Sequence, residues 1–326
     1  MGDDTLGTIG ASAGAPTKGL LIIHGAGDWE ANYWQPIAQQ IRQCLGTTTQ
    51  TFAAVGVYYS DVNATMKTLA PAANATPAMA KFKNDFLNDL LRDQLIGKIA
   101  TMPQTELMNK LVLAAIPGGT SLASVLNAST SILQLLGSPE SLLDTLSRAV
   151  LGISANEARQ QIENTLKPAQ ASIGSTIQDV ARYLYDPAFA QQIKQKMIAG
   201  LKLMQQYPEV VLVSHSLGTV VAFDVLNEWT ESTPVISHWF TLGCPLTKVV
   251  RLRPGTLNRL KNPNVRYWFN VYDTTDLVAG QLSPSFSTLN GFGIHDIFVN
   301  IGDDPVKSHD YFNNATTLQM IADVMR

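Results

Sequence analysis

Residues 210–219, Val-Val-Leu-Val-Ser-His-Ser-Leu-Gly-Thr, put a serine hydroxyl where it could serve as a nucleophile. The four apolar residues Val210 to Val213 suit a strand buried on both faces of a parallel sheet. Leu217, Val220, Val221, Val225 and Leu226 then recur at helical spacing, so Ser216 falls at the turn between strand and helix. A tight turn of this kind holds Oγ clear of the sheet while the helix start aims unpaired N–H groups at the same region. Such a hydroxyl needs a base, because serine attacks poorly unless a histidine removes its proton, and a carboxylate must fix that histidine's tautomer. Both groups follow along the chain. The apolar run Val265 to Tyr272 leads into Asp273-Thr274-Thr275-Asp276, and a last strand between Ile294 and Ile301 leads into Gly302 to His309. The chemistry these residues could support is acyl transfer through a covalent intermediate. The alternative for the five residues around Ser216 is an ordinary strand-to-helix turn with a helix-capping serine.

The elements that must hold these groups can be traced along the chain. Gly19 to Ile23 is a second apolar run that ends in small residues, His24-Gly25-Ala26-Gly27, and is followed by a helical pattern through Trp34, Ile37, Ile41 and Leu45. Neither phosphate-loop spacing occurs there, so the glycines are not a nucleotide cradle. Residues 51–59 form an expected third strand. From Met79 onward the signals are helical: Phe82, Phe86, Leu87, Leu90, Leu91 and Leu95, then Leu107 to Ile116, then Leu142, Leu143, Leu146, Ala149 and Val150. Prolines and glycines at Pro103, Gly118-Gly119, Gly137 and Pro168 punctuate them. The stretch Leu111 to Leu136 is apolar and rich in small residues, which fits a lid over an apolar acyl pocket and fits the inner face of a plain helical subdomain equally well. Helical faces through Ile177, Val180, Leu184, Ile193, Met197 and Leu201 restore the alternation, which continues with strands at Val235 to Leu242 and Val265 to Tyr272 and a closing helix from Tyr311 to Met325. This order predicts an α/β fold with a mostly parallel sheet and helices on both faces. Gly2 to Thr17 lack any period and read as a loose arm ahead of Lys18.

Ser214-x-Ser216-x-Gly218 resembles the nucleophile elbow of the α/β-hydrolases, Gly-x-Ser-x-Gly, with Ser214 in place of the first glycine. His24-Gly25-Ala26-Gly27 is similar to that family's His-Gly-x loop. The resemblance covers about Lys18 to Tyr59 and Ile177 to Arg326. It implies one α/β-hydrolase domain, with its core at about residues 18–60 and 176–326 and a helical cap inserted at about residues 61–175. It further implies that the backbone N–H groups of Ala26 and Leu217 form an oxyanion hole, since such donors must come within about 2.7–3.1 Å of the oxyanion and glycines leave room for that. The family order Ser, Asp, His assigns Ser216 as nucleophile and His309 as base. Asp276-Leu277-Val278 is similar to the family's acid loop, so Asp276 is the expected acid and Asp273 a turn residue. His295 precedes the last strand and His238 begins an earlier one. His24 is read as an anchor for its loop and His215 as a packed, hydrogen-bonded ring.

Composition narrows the partners. A net charge of −3 with no Lys/Arg-rich run gives no field for a nucleic acid backbone. Cys44 and Cys244 lack metal or disulfide spacing, and no metal or organic cofactor is implied. The acidic start Met1-Gly2-Asp3-Asp4 is unlike a secretory leader, and no stretch is long and apolar enough to span a bilayer. The expected location is cytoplasmic, with secretion open if a leader was removed. The expected partner is a small-molecule ester with an apolar acyl group, and the expected activity is carboxylic ester hydrolysis. Thioesters and amides share the tetrahedral intermediate and remain alternatives, as does a catalytically silent protein of this fold that binds a lipid or protein.

Overall fold

The computed structural model describes residues 7–9, 17–46, 51–62, 76–103, 105–106, 110, 139–166, 175–253, 255–304 and 307–326. The apolar stretch Leu111 to Leu136 lies outside the described residues. The chain divides into two compact units, Met1–Phe82 with Ala169–Arg326, and Lys83–Pro168.

The first unit is built on a sheet. Its strands are β1 (Gly7–Ile9), β2 (Lys18–Ile23), β3 (Phe52–Val57), β4 (Glu209–His215), β5 (Ile236–Leu242), β7 (Val265–Tyr272) and β9 (Ile294–Phe298), in the spatial order β1-β3-β2-β4-β5-β7-β9. A separate two-stranded pair joins β6 (Arg259–Leu260) to β8 (Ser287–Thr288). All the neighbouring pairs from β3 to β9 are parallel. The segment read as a loose arm contains β1, which pairs antiparallel with the outer edge of β3. Three residues are too few to carry a period of two, so the open edge of β3 dictates this strand rather than any local pattern.

Helices cover both faces of the sheet. α1 (Trp34–Leu45) and the last helix, α9 (Ala315–Met325), pack Trp34, Ile37, Ile41, Leu318 and Ile321 against Leu20, Ile22, Val211, Val213 and Phe240. Each fully buried Leu or Ile contributes about 1.5–3 kcal/mol, so packing rather than propensity holds these helices. On the other face, α6 (Pro187–Met204) lies over β2 and β3, and α7 (Leu217–Glu228) lies over β4. The start of α6 is written locally: Asp186 caps it by accepting the Phe189 N–H at 3.1 Å, and Pro187 takes the first helical position. α5 (Ser175–Tyr185) precedes it, and α8 (Leu246–Leu252) follows β5. The closing helix starts later than its periodicity predicts. Tyr311–Asn313 form a 3₁₀ turn, after which Asn314 caps α9 by accepting the Thr317 N–H at 2.9 Å.

The second unit is helical among its described residues. It holds the part of α2 (Pro77–Thr101) from Lys83 onward, together with α3 (Pro139–Leu151) and α4 (Ala155–Leu166). Leu91, Leu95, Leu143, Ala149, Val150 and Ala158 form its core. Ser154 and Glu157 make a reciprocal capping box at the start of α4, with Glu157 Oε2 accepting the Ser154 N–H at 2.8 Å and Ser154 Oγ accepting the Glu157 N–H at 3.2 Å. Among the described residues, no helix is long and apolar enough to cross a membrane.

Candidate active site

The C-terminal ends of the parallel strands carry every residue expected to take part in chemistry. Ser216 follows β4 at φ 51° and ψ −124°, and among the described residues it is the only non-glycine residue with positive φ. An L side chain in such a conformation costs on the order of 1–3 kcal/mol, so the surrounding structure must hold it there. Several contacts do so. The Ser216 N–H donates to Leu242 O at 2.9 Å, and Thr219 donates to Ser216 O through both its N–H, at 2.9 Å, and its hydroxyl, at 2.7 Å. A Cβ at Gly218 would lie 2.4 Å from His24 O, so only glycine lets α7 begin this close to the β2 loop. Leu217 opens α7, where its N–H precedes the first intrahelical bond.

The loop after β2 lies directly against this turn. At Gly25 an added Cβ would sit 2.6 Å from Ser216 Cβ, 3.3 Å from its Oγ and 3.0 Å from His215 Nδ1. Ala26 is buried immediately beyond. Its carbonyl accepts the Trp29 indole N–H at 3.0 Å, and the next N–H, of Gly27, donates to the buried Asp179 at 3.2 Å. His24 anchors the loop from beneath. Its Nδ1–H donates to Gly25 O at 2.7 Å, its Nε2 accepts the Tyr59 N–H at 3.1 Å, and its ring stacks on Tyr59. Burial pushes its pKa down to about 3, so the ring is neutral.

Asp276 and His309 meet directly. His309 ends a 3₁₀ turn, Lys307–His309, and its Nδ1–H donates to Asp276 Oδ2 at 2.8 Å, with both side chains buried. The other carboxylate oxygen of Asp276 accepts the Val278 N–H at 2.9 Å, and Oδ2 also accepts the Tyr311 hydroxyl at 2.9 Å. Asp273 points elsewhere. Its two oxygens accept the N–H groups of Thr275 and Ile301, each at 2.7 Å, and so tie the loop after β7 to the segment after β9. His295 lies on β9, exposed and stacked on Phe269, and His238 stacks on Tyr267 and Phe269. Neither touches Asp276.

Two polar atoms are conspicuous by their isolation. Ser216 Oγ and His309 Nε2 are both buried and have no hydrogen-bond partner among the described residues. They are linked through the backbone between them: Leu242 O holds the Ser216 N–H, and a Cβ on the next residue, Gly243, would lie 2.8 Å from His309 Cε1. A second link leaves no mark in the sequence. The Nε2–H of His215, next to Ser216, donates to His309 O at 3.0 Å, and the two rings lie 4.7 Å apart. Burial holds the His215 pKa well below its ordinary value, so Nδ1 carries a lone pair, and it too is buried without a partner. The contact of Tyr311 with Asp276 is equally illegible in the sequence, because nothing in Ser308-His309-Asp310-Tyr311 signals where its hydroxyl goes.

No group of three or more His, Cys, Asp or Glu residues among the described residues could hold a metal ion. Cys244 is buried, which pushes its thiol up to about 12 and leaves it inert. The surface cavity lined by Asp61, Val62, Gln192 and Lys196 includes none of the residues above. No protein-family model matches this chain, and no curated protein matches its sequence significantly.

Proposed function

We propose that this protein is a serine hydrolase of the α/β-hydrolase kind that cleaves carboxylic esters through an acyl-enzyme. The observation that carries this reading is the unpartnered, buried Ser216 Oγ, held at a strained turn, together with an Asp276–His309 pair whose Nε2 is also unpartnered. Asp276 accepting the Nδ1–H leaves the Nε2 lone pair free, which is the tautomer a general base needs. Ser216 Oγ attacks the ester carbonyl carbon as its proton passes to His309 Nε2. The oxyanion is stabilised by the N–H groups of Ala26 and Leu217. His309 then returns the proton to the leaving alcohol, the acyl group stays on Ser216, and a water activated by His309 releases the acid. The strained φ at Ser216 and the capping of its carbonyl by Thr219 are consistent with a turn built to present a nucleophile rather than to cap a helix, since its side chain makes no capping bond.

The test is labelling with a fluorophosphonate probe, followed by peptide mapping, alongside hydrolysis of a short p-nitrophenyl ester. The expected result is one adduct, on Ser216, and turnover that Ser216→Ala removes by several orders of magnitude. A folded protein that the probe does not label and that turns over no ester would refute the reading.

A further inference from the structure

Tyr311 is the residue that joins the two aspartates of the loop after β7. Its hydroxyl donates to Asp276 Oδ2 at 2.9 Å and accepts the Asp273 N–H at 2.8 Å. Its ring is held as firmly as its hydroxyl. A Cβ at Gly243 would lie 2.7 Å from Tyr311 Cε2, and Gly243 has φ +59°, so this position is glycine for both space and backbone conformation. The same glycine supports His309, which places the two side chains that contact Asp276 Oδ2 on one rigid surface. Burial drives the Tyr311 hydroxyl far above its ordinary pKa, which keeps its proton available for donation. Without that hydroxyl, Oδ2 would keep the His309 Nδ1–H as its one side-chain donor, and the carboxylate would be fixed by two hydrogen bonds, one to each oxygen, instead of three.

We propose that Tyr311 is a positioning residue that locks the Asp276 carboxylate in the orientation from which it holds the His309 tautomer. The inference rests on the hydrolase reading for its kinetic consequence but not for its geometry. Tyr311→Phe keeps the ring and removes only the hydroxyl. With a p-nitrophenyl ester, the folded variant should lose about tenfold in kcat, the order expected for one hydrogen bond to a charged group, with KM unchanged. Placed on Asp276→Asn, the same substitution should cost less than twofold, because its effect passes through the carboxylate. A second readout does not depend on activity. The downfield proton resonance of the His309 Nδ1–H, assigned by its absence in His309→Ala, should shift or broaden by faster exchange in Tyr311→Phe. An unmoved resonance in folded Tyr311→Phe, or an equal kinetic loss in both backgrounds, overturns the proposal. Should the parent neither react with a fluorophosphonate nor turn over ester, the hydrolase reading fails and the resonance alone decides the role of Tyr311. If Tyr311→Phe does not fold, protein grown with 3-fluorotyrosine, a stronger hydroxyl donor, must shift the same resonance, and no shift refutes the inference.

Discussion

Replacing Asp276 by Asn probes the proposed chemistry with almost no change of shape, and its outcome can be worked from the hydrogen bonds. Oδ1 of Asp276 accepts the Val278 N–H, so an amide at this position keeps its carbonyl oxygen there and turns its NH₂ towards the place of Oδ2. That place faces the His309 Nδ1–H and the Tyr311 hydroxyl. The tyrosine can rotate its proton away, but the imidazole can avoid a donor–donor clash only by moving its proton to Nε2. A ring protonated on Nε2 cannot take the Ser216 proton. The expected loss in kcat/KM is about 10³–10⁴-fold, or roughly 4–5.5 kcal/mol at about 1.4 kcal/mol per decade. Asp273→Asn is the control. Its oxygens accept two backbone N–H groups, so the variant should lose about 1–3 kcal/mol of stability by orphaning one of them. Its folded fraction should keep activity within about tenfold of the parent. The assay is kcat/KM on one p-nitrophenyl ester, with urea unfolding of each variant to correct for the folded fraction. If folded Asp276→Asn keeps more than a tenth of the parent's kcat/KM, or if Asp273→Asn loses more, the assignment of Asp276 is wrong.

His309→Ala should remove ester hydrolysis by several orders of magnitude, whereas His295→Ala, on the exposed ladder of β9, should stay near the parent; a reversed ranking on the same ester excludes His309 as the base. Ser216→Gly should be about 1 kcal/mol more stable than Ser216→Ala, because alanine keeps the Cβ that is strained at φ 51° and glycine does not. Urea midpoints that ranked the two equally or in the opposite order would show that the turn is unstrained. Stability should fall on acidification. His24 and His215 have pKa values lowered by burial, His24 to about 3, so below the unfolded value near 6.5 the unfolded chain binds protons that the folded chain does not. Each such group contributes up to about 1.4 kcal/mol per pH unit, and urea unfolding at pH 7, 6 and 5 should show a declining free energy; a flat or rising one would mean that these rings are not buried neutral.

The amino-acid sequence determines the layered core almost by itself. Strands of a parallel sheet covered on both faces must be apolar at nearly every position, so Leu20 to Ile23 and Val210 to Val213 are legible as runs, and the helical spacing from Trp34 to Leu45 marks a face that can bury only one way. The turn at Ser216 is legible for the same reason, because the apolar run, the small residues and the helical period are all local. What the tertiary structure alone decides is where side chains point once distant segments meet. Asp273 and Asp276 are three residues apart in one loop, yet backbone N–H groups occupy both oxygens of the first while His309 and Tyr311 meet the second. The hydrogen bond from His215 to the His309 carbonyl spans 94 residues of sequence, and β1 exists because β3 leaves an edge unpaired. Periodicity records which face of an element is buried, because burial is imposed along the whole element. A single hydrogen bond between loops leaves no period, and it forms only after the sheet has brought its strand ends together.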